Sequence, residues 1–142
     1  MDKTMHQING ACHCKNLSFD LSTEIDPKSI QARACDCSFC RLHGAMNWSD
    51  PNGTVTIRIN DEKQLQKYRF ALGTADFYIC RVCGTYLGAV LSDNDGTWST
   101  INLRLTGLPS SEQTVSYDIE DTSDRISRRK RVWTPTTIIT GT

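Results

Sequence analysis

Three clusters of cysteines contain the residues of this chain best suited to bind metal ions or to react. The middle cluster, "CDCSFCR", contains Cys35, Cys37 and Cys40, and the chain has seven cysteines in all. The outer clusters are the pairs "CHC" at 12–14 and "CRVC" at 80–83. Closely spaced thiolates are typical zinc ligands, and an odd number of cysteines cannot all pair as disulfides within one chain. We therefore expect metal sites rather than a disulfide framework.

The spacing divides these cysteines into a group of four and a group of three. A closed structural zinc site takes four thiolates, normally supplied as two close pairs from distant segments. One zinc is therefore predicted to tie the N-terminal strand to a later hairpin through the outer pairs, Cys12, Cys14, Cys80 and Cys83. The remaining Cys35, Cys37 and Cys40 provide three ligands and leave a fourth position open, as catalytic zinc sites do. The prediction is two zinc ions per chain.

Other divisions of the ligands stay open from spacing alone. The first pair could join Cys35 and Cys37, with Cys40 joining the last pair. The middle group could also be a second closed site, completed by His43 or His13 and without a catalytic role.

A zinc ion with three thiolate ligands favours a particular chemistry. Its ligands already make the site negatively charged, so it is a weaker Lewis acid than a zinc held by three histidines. A soft fourth ligand suits it, and a substrate thiol is expected to bind as the thiolate, positioned to attack a small electrophile. Arg41, next to Cys40, is predicted to steady that charge, and Arg33 is a second local candidate.

The segments that position the cysteines are predicted to be mostly β strands. Apolar residues alternate in "NLSFDLS" and "TVTIRIN", so both are predicted to be half-buried strands. "GTYLGAVL" and "TWSTINLRL" are predicted to form a hairpin across "SDNDG", and "QKYRF" is a weaker strand candidate. A short helix is predicted to begin at Ser38 as its N-cap and to end at Gly44, and a second to lie between Glu120 and Lys130.

Length and composition limit the remaining choices. The 142 residues fit a single domain, 1–142, and 16 basic residues balance 16 acidic ones, so nucleic acid is not an expected partner. The basic run "RISRRKR" at 125–131 is predicted to be a solvated surface because the acidic stretch "DIEDTSD" precedes it. Neither a signal peptide nor a membrane-spanning segment is evident, which predicts a cytoplasmic protein with reduced thiols.

Three motifs resemble those of the glutathione-dependent formaldehyde-activating enzyme family, which includes relatives of centromere protein V. They are "GACHC", "CDCSFCR" and "YICRVCGT", in that order, and the resemblance spans about residues 8–105. It implies an Mss4-like zinc-binding β fold, with the C-terminal segment 106–142 packing on this core or extending it. Members often have Gly where this chain has Lys15, and His where it has Asp36.

The resemblance also implies a reaction. A carbon–sulfur lyase of the S-(hydroxymethyl)glutathione synthase type would add glutathione to formaldehyde, or cleave the adduct. By position, the outer four cysteines would be structural ligands and Cys35, Cys37 and Cys40 the catalytic ones. Two other functions compete: a non-catalytic zinc-stabilised module that binds nucleic acid or protein, and a redox protein in which Cys37 and Cys40 cycle as a disulfide. The metal interpretation accounts for all seven cysteines and the redox interpretation for two.

Overall fold

Strands dominate the part of the chain that the structure describes. The structure is a computed structural model and describes residues 4–35, 37–70, 72–108, 111–115 and 120–141. The strands are β1 (His6–Ala11), β2 (Leu17–Thr23), β3 (Gln31–Cys35), β4 (Asn47–Trp48), β5 (Thr54–Ile59), β6 (Leu65–Tyr68), β7 (Asp76–Cys80), β8 (Tyr86–Asp93), β9 (Gly96–Asn102), β10 (Ser111–Val115) and β11 (Thr134–Thr140). The helices are α1 (Ser38–His43) and α2 (Thr122–Val132), with short 3₁₀ turns at Pro27–Ser29, Glu62–Gln64 and Leu103–Thr106. Neither described helix combines the length and the apolar character needed to cross a membrane.

The strands form one continuous hydrogen-bonded sheet. Its main order is β1-β2-β5-β11-β9-β4-β3-β10, and β6, β7 and β8 continue from the other edge of β9. Most neighbours run antiparallel, but β11 pairs parallel with β5 and β10 pairs parallel with β3. The strand β9 is therefore the junction of the sheet, because β8 lies along one side of it and β4 and β11 lie along the other.

Alternation places the core where the sequence predicts it. In β2 the residues Leu17, Phe19 and Leu21 are buried and the residues between them are half-buried. Ile57 of β5 is fully buried and pairs with Phe19 across the antiparallel β2–β5 ladder. Each buried side chain of this kind contributes about 1.5–3 kcal/mol relative to an exposed one. These two predicted strands are confirmed, and they anchor the N-terminal half of the sheet.

The predicted hairpin is also confirmed. Strands β8 and β9 pair from Asp93 and Gly96 at the turn to Gly88 and Ile101. Gly88 allows the two backbones to approach closely, since a Cβ atom at this position would lie 2.5 Å from the carbonyl oxygen of Thr100. The hairpin brings Tyr86, at the start of β8, into the centre of the domain.

Both predicted helices are present, with one correction. Helix α1 ends as predicted at Gly44, which adopts a left-handed conformation with φ of 60°. Its N-cap, however, is Cys37 and not Ser38, because the Cys37 thiol accepts a hydrogen bond from the backbone N–H of Cys40. The predicted mainly β, single-domain fold with one or two short helices is confirmed.

Candidate metal centre and buried cysteine network

Two turns bring the outer cysteine pairs together. Cys12 and Cys14 lie in the turn between β1 and β2, while Cys80 ends β7 and Cys83 lies in the turn that leads to β8. The four sulfur atoms lie within 4.8 Å of one another. In the part of the chain that the structure describes, this is the only group of three or more Cys, His, Asp or Glu side chains close enough to share a metal ion.

The distances between these sulfurs fit a metal centre. Sγ of Cys14 lies 3.8 Å from Sγ of Cys12 and 3.5 Å from Sγ of Cys80. A disulfide needs about 2.05 Å, so these pairs are not disulfides. Two thiolates bound at about 2.3 Å to a tetrahedral zinc are separated by about 3.8 Å, the value that tetrahedral geometry gives. The distances from Cys14 to Cys12 and to Cys80 therefore suit a metal ion shared by the cluster.

Backbone geometry shapes the first turn of this cluster. The carbonyl oxygen of Cys12 accepts a hydrogen bond from the N–H of Lys15, and the Leu17 N–H donates to the Cys12 sulfur at 3.3 Å. Lys15 has a φ of 69°, the left-handed region that glycine occupies without strain. This explains physically why a glycine suits the position after the first pair of cysteines.

The thiols of Cys12, Cys80 and Cys83 differ in acidity. Burial, followed by the neighbouring thiols, raises the pKa of Cys12 to about 12 against the effect of the Leu17 N–H, and burial also raises the pKa of Cys80. For Cys83 burial acts in the same direction, but hydrogen bonds with the Thr85 hydroxyl and with the backbone of Cys14 and Thr85 outweigh it and lower the pKa to about 5. At neutral pH Cys83 is therefore a thiolate, whereas Cys12 and Cys80 keep their protons.

The middle cysteines lie where β3 passes into α1. Cys35 ends β3, Cys37 caps α1, and Cys40 is in its first turn. The side chain of Cys35 and the whole of Asp36 lie outside the described part of the chain. The Cys37 sulfur is 3.4 Å from the Cys40 nitrogen that donates to it. The start of this helix therefore depends on a thiol acting as hydrogen-bond acceptor.

Cys40 is buried and contacts a buried amide that the sequence did not reveal. Its sulfur accepts a hydrogen bond from Nδ2 of Asn47 at 3.6 Å, and the hydroxyl of Tyr86 donates to Oδ1 of the same amide at 2.9 Å. Since a tyrosine hydroxyl that donates must face the amide oxygen, the Asn47 nitrogen must face the sulfur. All three side chains are at least nine-tenths buried. This network presents an N–H to the sulfur, which favours its thiolate form.

A second buried amide supports the loop that carries Asn47. Oδ1 of Asn102 accepts hydrogen bonds from the backbone N–H groups of Met46 and Arg104, and its Nδ2 donates to the carbonyl oxygen of Tyr86. Nε of Arg104 also donates to the carbonyl oxygen of Gly44, at 2.8 Å. The segment between α1 and β4 is thus fixed at both ends to β9 and its extension.

The other predicted site residues occupy different environments. Arg41 is exposed on α1, beside the middle cysteines. The guanidinium of Arg33 donates to the hydroxyls of Ser49 and Thr100, so it is committed to the junction of β4 with β9. Nδ1 of His43 hydrogen-bonds to the carbonyl oxygen of Phe39, and among the described side chains neither His43 nor His13 joins a group of potential metal ligands.

Aromatic rings surround the first turn of α1. The ring of Phe39 packs against five others, those of His43, Tyr68, Phe70, Phe77 and Tyr86, at centroid distances of 4.2–5.8 Å. Phe39 is buried, so it is a packing residue in the middle of this cluster rather than the wall of an open cleft. The rings shield the Cys40 side of the helix from water, which strengthens the polar contacts there.

The prediction that the basic run is a solvated surface is wrong. It forms most of α2, where Arg125 and Arg128 both pair with Glu120 and their side chains are 14% and 15% exposed. Lys130 pairs with Asp93 and Asp95, and Arg129 is buried. The local charge pattern does not reveal the partners of Lys130, because Asp93 and Asp95 lie in a turn that only the fold brings close to it.

These features define a mainly β protein whose cysteine cluster can bind a metal ion. A family model described as glutathione-dependent formaldehyde-activating enzyme matches residues 7–120, which include all seven cysteines. The chain belongs to this family, whose description refers to glutathione and formaldehyde chemistry. The resemblance inferred from the three cysteine motifs is therefore confirmed.

A solved structure gives independent support for the fold. A crystal structure of a Rhodobacter sphaeroides protein, determined in a structural genomics programme, is similar with a TM-score of 0.57 and 24% sequence identity. The similarity covers 76% of this chain and 100% of the other. At this identity the similarity concerns the fold alone. A search of proteins with curated functions gave no match.

Proposed function

We propose that this protein is a zinc-dependent carbon–sulfur lyase that adds a thiol such as glutathione to formaldehyde or another small aldehyde, or catalyses the reverse cleavage. The observation that carries the proposal is the buried hydrogen bond from Asn47 to the Cys40 sulfur. The Tyr86 hydroxyl donates to the oxygen of this amide and so holds the amide N–H toward the sulfur. Such a donor suits a thiolate, and a buried thiolate needs a cation beside it. Family membership supplies the thiol and the aldehyde.

Two zinc ions have different roles in this proposal. The cluster of Cys12, Cys14, Cys80 and Cys83 would hold one ion and join the two turns, which fits its sulfur spacing. The middle residues Cys35, Cys37 and Cys40 would hold the other. When bound there with a position open, zinc would keep a substrate thiol in its nucleophilic thiolate form.

Residues of the chain would then prepare the site for the reaction. Asn47 would hold the Cys40 sulfur as an acceptor, and Phe39 with its aromatic neighbours would exclude water from that side. Arg41 would place a positive charge near the substrate sulfur. The attack forms a bond from this sulfur to the aldehyde carbon and breaks the carbonyl π bond. The electron pair of that bond moves to the oxygen, which takes up the proton that the thiol released. The proposed compartment is the cytosol, where thiols remain reduced.

Zinc content separates the two metal roles. We expect two zinc ions per chain in gently purified protein and one in the Cys37→Ser variant, which should remain folded. Cys83→Ser should instead lower thermal stability strongly, because structural zinc binding contributes directly to folding energy. Ser123→Ala is the matched control, since this serine is exposed on α2 and far from the cysteines in sequence.

The reaction itself is tested by following the hydroxymethyl thioether that glutathione and formaldehyde form, by exchange spectroscopy at equilibrium. The wild type should accelerate exchange, and Cys37→Ser should not. A single zinc ion unaffected by Cys37→Ser, together with no acceleration by the wild type, would disprove the proposal. It would then favour a zinc-stabilised binding module or a redox role for Cys37 and Cys40.

A further inference from the structure

One arginine in the basic helix is in an unusual position. Arg129 is 9% exposed, and its guanidinium lies over the ring of Trp133 at 4.7 Å. Its one hydrogen bond within the described chain runs from Nη1 to the hydroxyl of Thr74. Its Nε atom is buried and has no hydrogen-bond partner there. A buried N–H donor without an acceptor is costly, so this arrangement needs an explanation.

The donors of Arg129 that have no partner among the described residues lie on one edge of its guanidinium. Nη1 is directed to Thr74, which leaves Nε and Nη2, the two nitrogens whose N–H groups point the same way. This edge forms a fork that matches the two oxygens of a carboxylate. The nearby carboxylate of Glu120 is already paired with Arg125 and Arg128, and it makes no ion pair with Arg129.

Arg129 keeps its charge despite burial. Burial is the main cause that lowers its pKa to about 10, followed by the charges of Arg128 and Arg125. It is therefore a guanidinium cation at neutral pH. A charged fork held by stacking on one face and by a hydroxyl at one end is preorganised, so little entropy is lost when an anion binds.

The position of Arg129 relates it to the middle cysteines. Trp133, against which it stacks, belongs to the same buried cluster as Phe39 and Cys40. The end of α2 is also fixed to the residue after β4, because the hydroxyl of Ser49 donates to the carbonyl oxygen of Val132. Through Trp133, Arg129 thus contacts the buried cluster that contains Cys40.

We propose that Arg129 binds a carboxylate of the substrate thiol through its Nε–Nη2 edge. The inference rests on the proposed function for the thiol, and it specifies the substrate class as thiols that carry a carboxylate. Glutathione meets this requirement, whereas a neutral thiol does not. Arg129 is then the residue that selects among thiols, while the cysteines act on the sulfur.

Binding of a substrate analogue without sulfur tests this site apart from the reaction. The probe is γ-glutamyl-alanyl-glycine, which is glutathione with hydrogen in place of the thiol group, titrated calorimetrically into zinc-loaded protein. We expect it to bind the wild type and to bind Arg129→Gln about tenfold more weakly or worse, as the loss of a charge-assisted hydrogen bond implies. Arg129→Lys keeps the charge but loses the fork, so it should also bind more weakly than the wild type.

Two controls make the result specific. Arg131→Gln removes an exposed arginine from the same helix and should leave the affinity unchanged. The diethyl ester of the probe lacks carboxylates and should bind the wild type and Arg129→Gln equally weakly. Thermal melting of each variant establishes that it is folded. If Arg129→Gln does not fold, Arg129→Lys replaces it in the binding test.

The outcomes separate this proposal from the proposed function. Unchanged affinity in Arg129→Gln and Arg129→Lys would overturn the role of Arg129. So would an ester that binds the wild type as tightly as the free acid does, or no binding of the probe to the wild type. Because the probe has no thiol, its binding does not depend on aldehyde chemistry. If Arg129→Gln weakens probe binding but the wild type never forms the adduct, the carboxylate site stands and the proposed reaction is refuted.

Discussion

The contact between Asn47 and Tyr86 allows a quantitative test of the buried network. In Asn47→Leu the Cys40 sulfur loses this N–H donor and the Tyr86 hydroxyl loses this acceptor. Each loss of a buried partner costs about 1–3 kcal/mol, so we expect Asn47→Leu to lower the free energy of unfolding by about 2–4 kcal/mol. Tyr86→Phe removes one donor from the amide oxygen and should cost about 1–2 kcal/mol.

The double variant should cost less than the sum of the two single variants. Once Asn47 is replaced, the Tyr86 hydroxyl is a buried polar group that has lost this acceptor, so removing the hydroxyl relieves part of the penalty. We expect a coupling energy of about 1–2 kcal/mol between the two positions, within the range for residues in one hydrogen-bond network.

Urea unfolding of the four proteins in the zinc-loaded state measures this coupling. Asn94→Leu is a suitable control because Asn94 is exposed in the turn between β8 and β9, and it should change the free energy by less than about 0.5 kcal/mol. If the two substitutions are additive within about 0.5 kcal/mol, the network does not act as a unit and the orientation assigned to the Asn47 amide is wrong.

Three further predictions concern charge and backbone strain. Zinc binding to the four-cysteine cluster must displace the protons of Cys12 and Cys80, because the pKa values of both thiols are raised. In chelator competition, the logarithm of the zinc association constant K should therefore rise by at least about two per pH unit near pH 7. An association constant that does not change with pH would contradict this. The Arg128 guanidinium lowers the pKa of Glu120 below the usual 4.5, so the ion pair stabilises the fold fully above that pH and the contribution is lost as pH falls through the lowered value. In urea unfolding at pH 7, Glu120→Gln should therefore lower the free energy of unfolding by about 1–3 kcal/mol. The difference between wild type and variant should narrow below pH 4.5, and a difference independent of pH would exclude the ion pair as its cause. Lys15→Gly should raise the free energy of unfolding by up to about 1 kcal/mol by relieving the left-handed strain, whereas Lys28→Gly, in a 3₁₀ turn without positive φ, should not.

Local sequence patterns predicted the strands and turns that depend on residues close together in the chain. The alternation of Leu17, Phe19 and Leu21 defined β2, and the turn at Asp95 and Gly96 defined the β8–β9 hairpin. Spacing also favoured the grouping of the outer cysteines, because closed zinc sites normally take two close pairs of thiolates, and the fold brings these four sulfurs together.

Contacts between distant segments could not be predicted in this way. Asn47 lies between Met46 and Trp48, and this local sequence does not show which groups its amide contacts. They are the Cys40 sulfur and the hydroxyl of Tyr86, which is 39 residues away. Serine is a common N-cap, so the local sequence predicts Ser38 as the cap of α1, whereas the Cys37 thiol has that role. The local charge pattern likewise predicts a solvated Arg129, because its burial depends on how α2 packs.

The parallel pairing of β11 with β5 has a consequence for the way the protein is made. Thr136 pairs with Val55, and β11 is the strand through which β5 joins β9. Residues 134–140 leave the ribosome after every other described strand, so until then the nascent chain has two part-sheets, each with an unpaired edge. Such edges invite pairing with other chains. Aggregation during synthesis should therefore be most acute in the interval before β11 is released, and a chaperone that covers the β5 edge should reduce that aggregation.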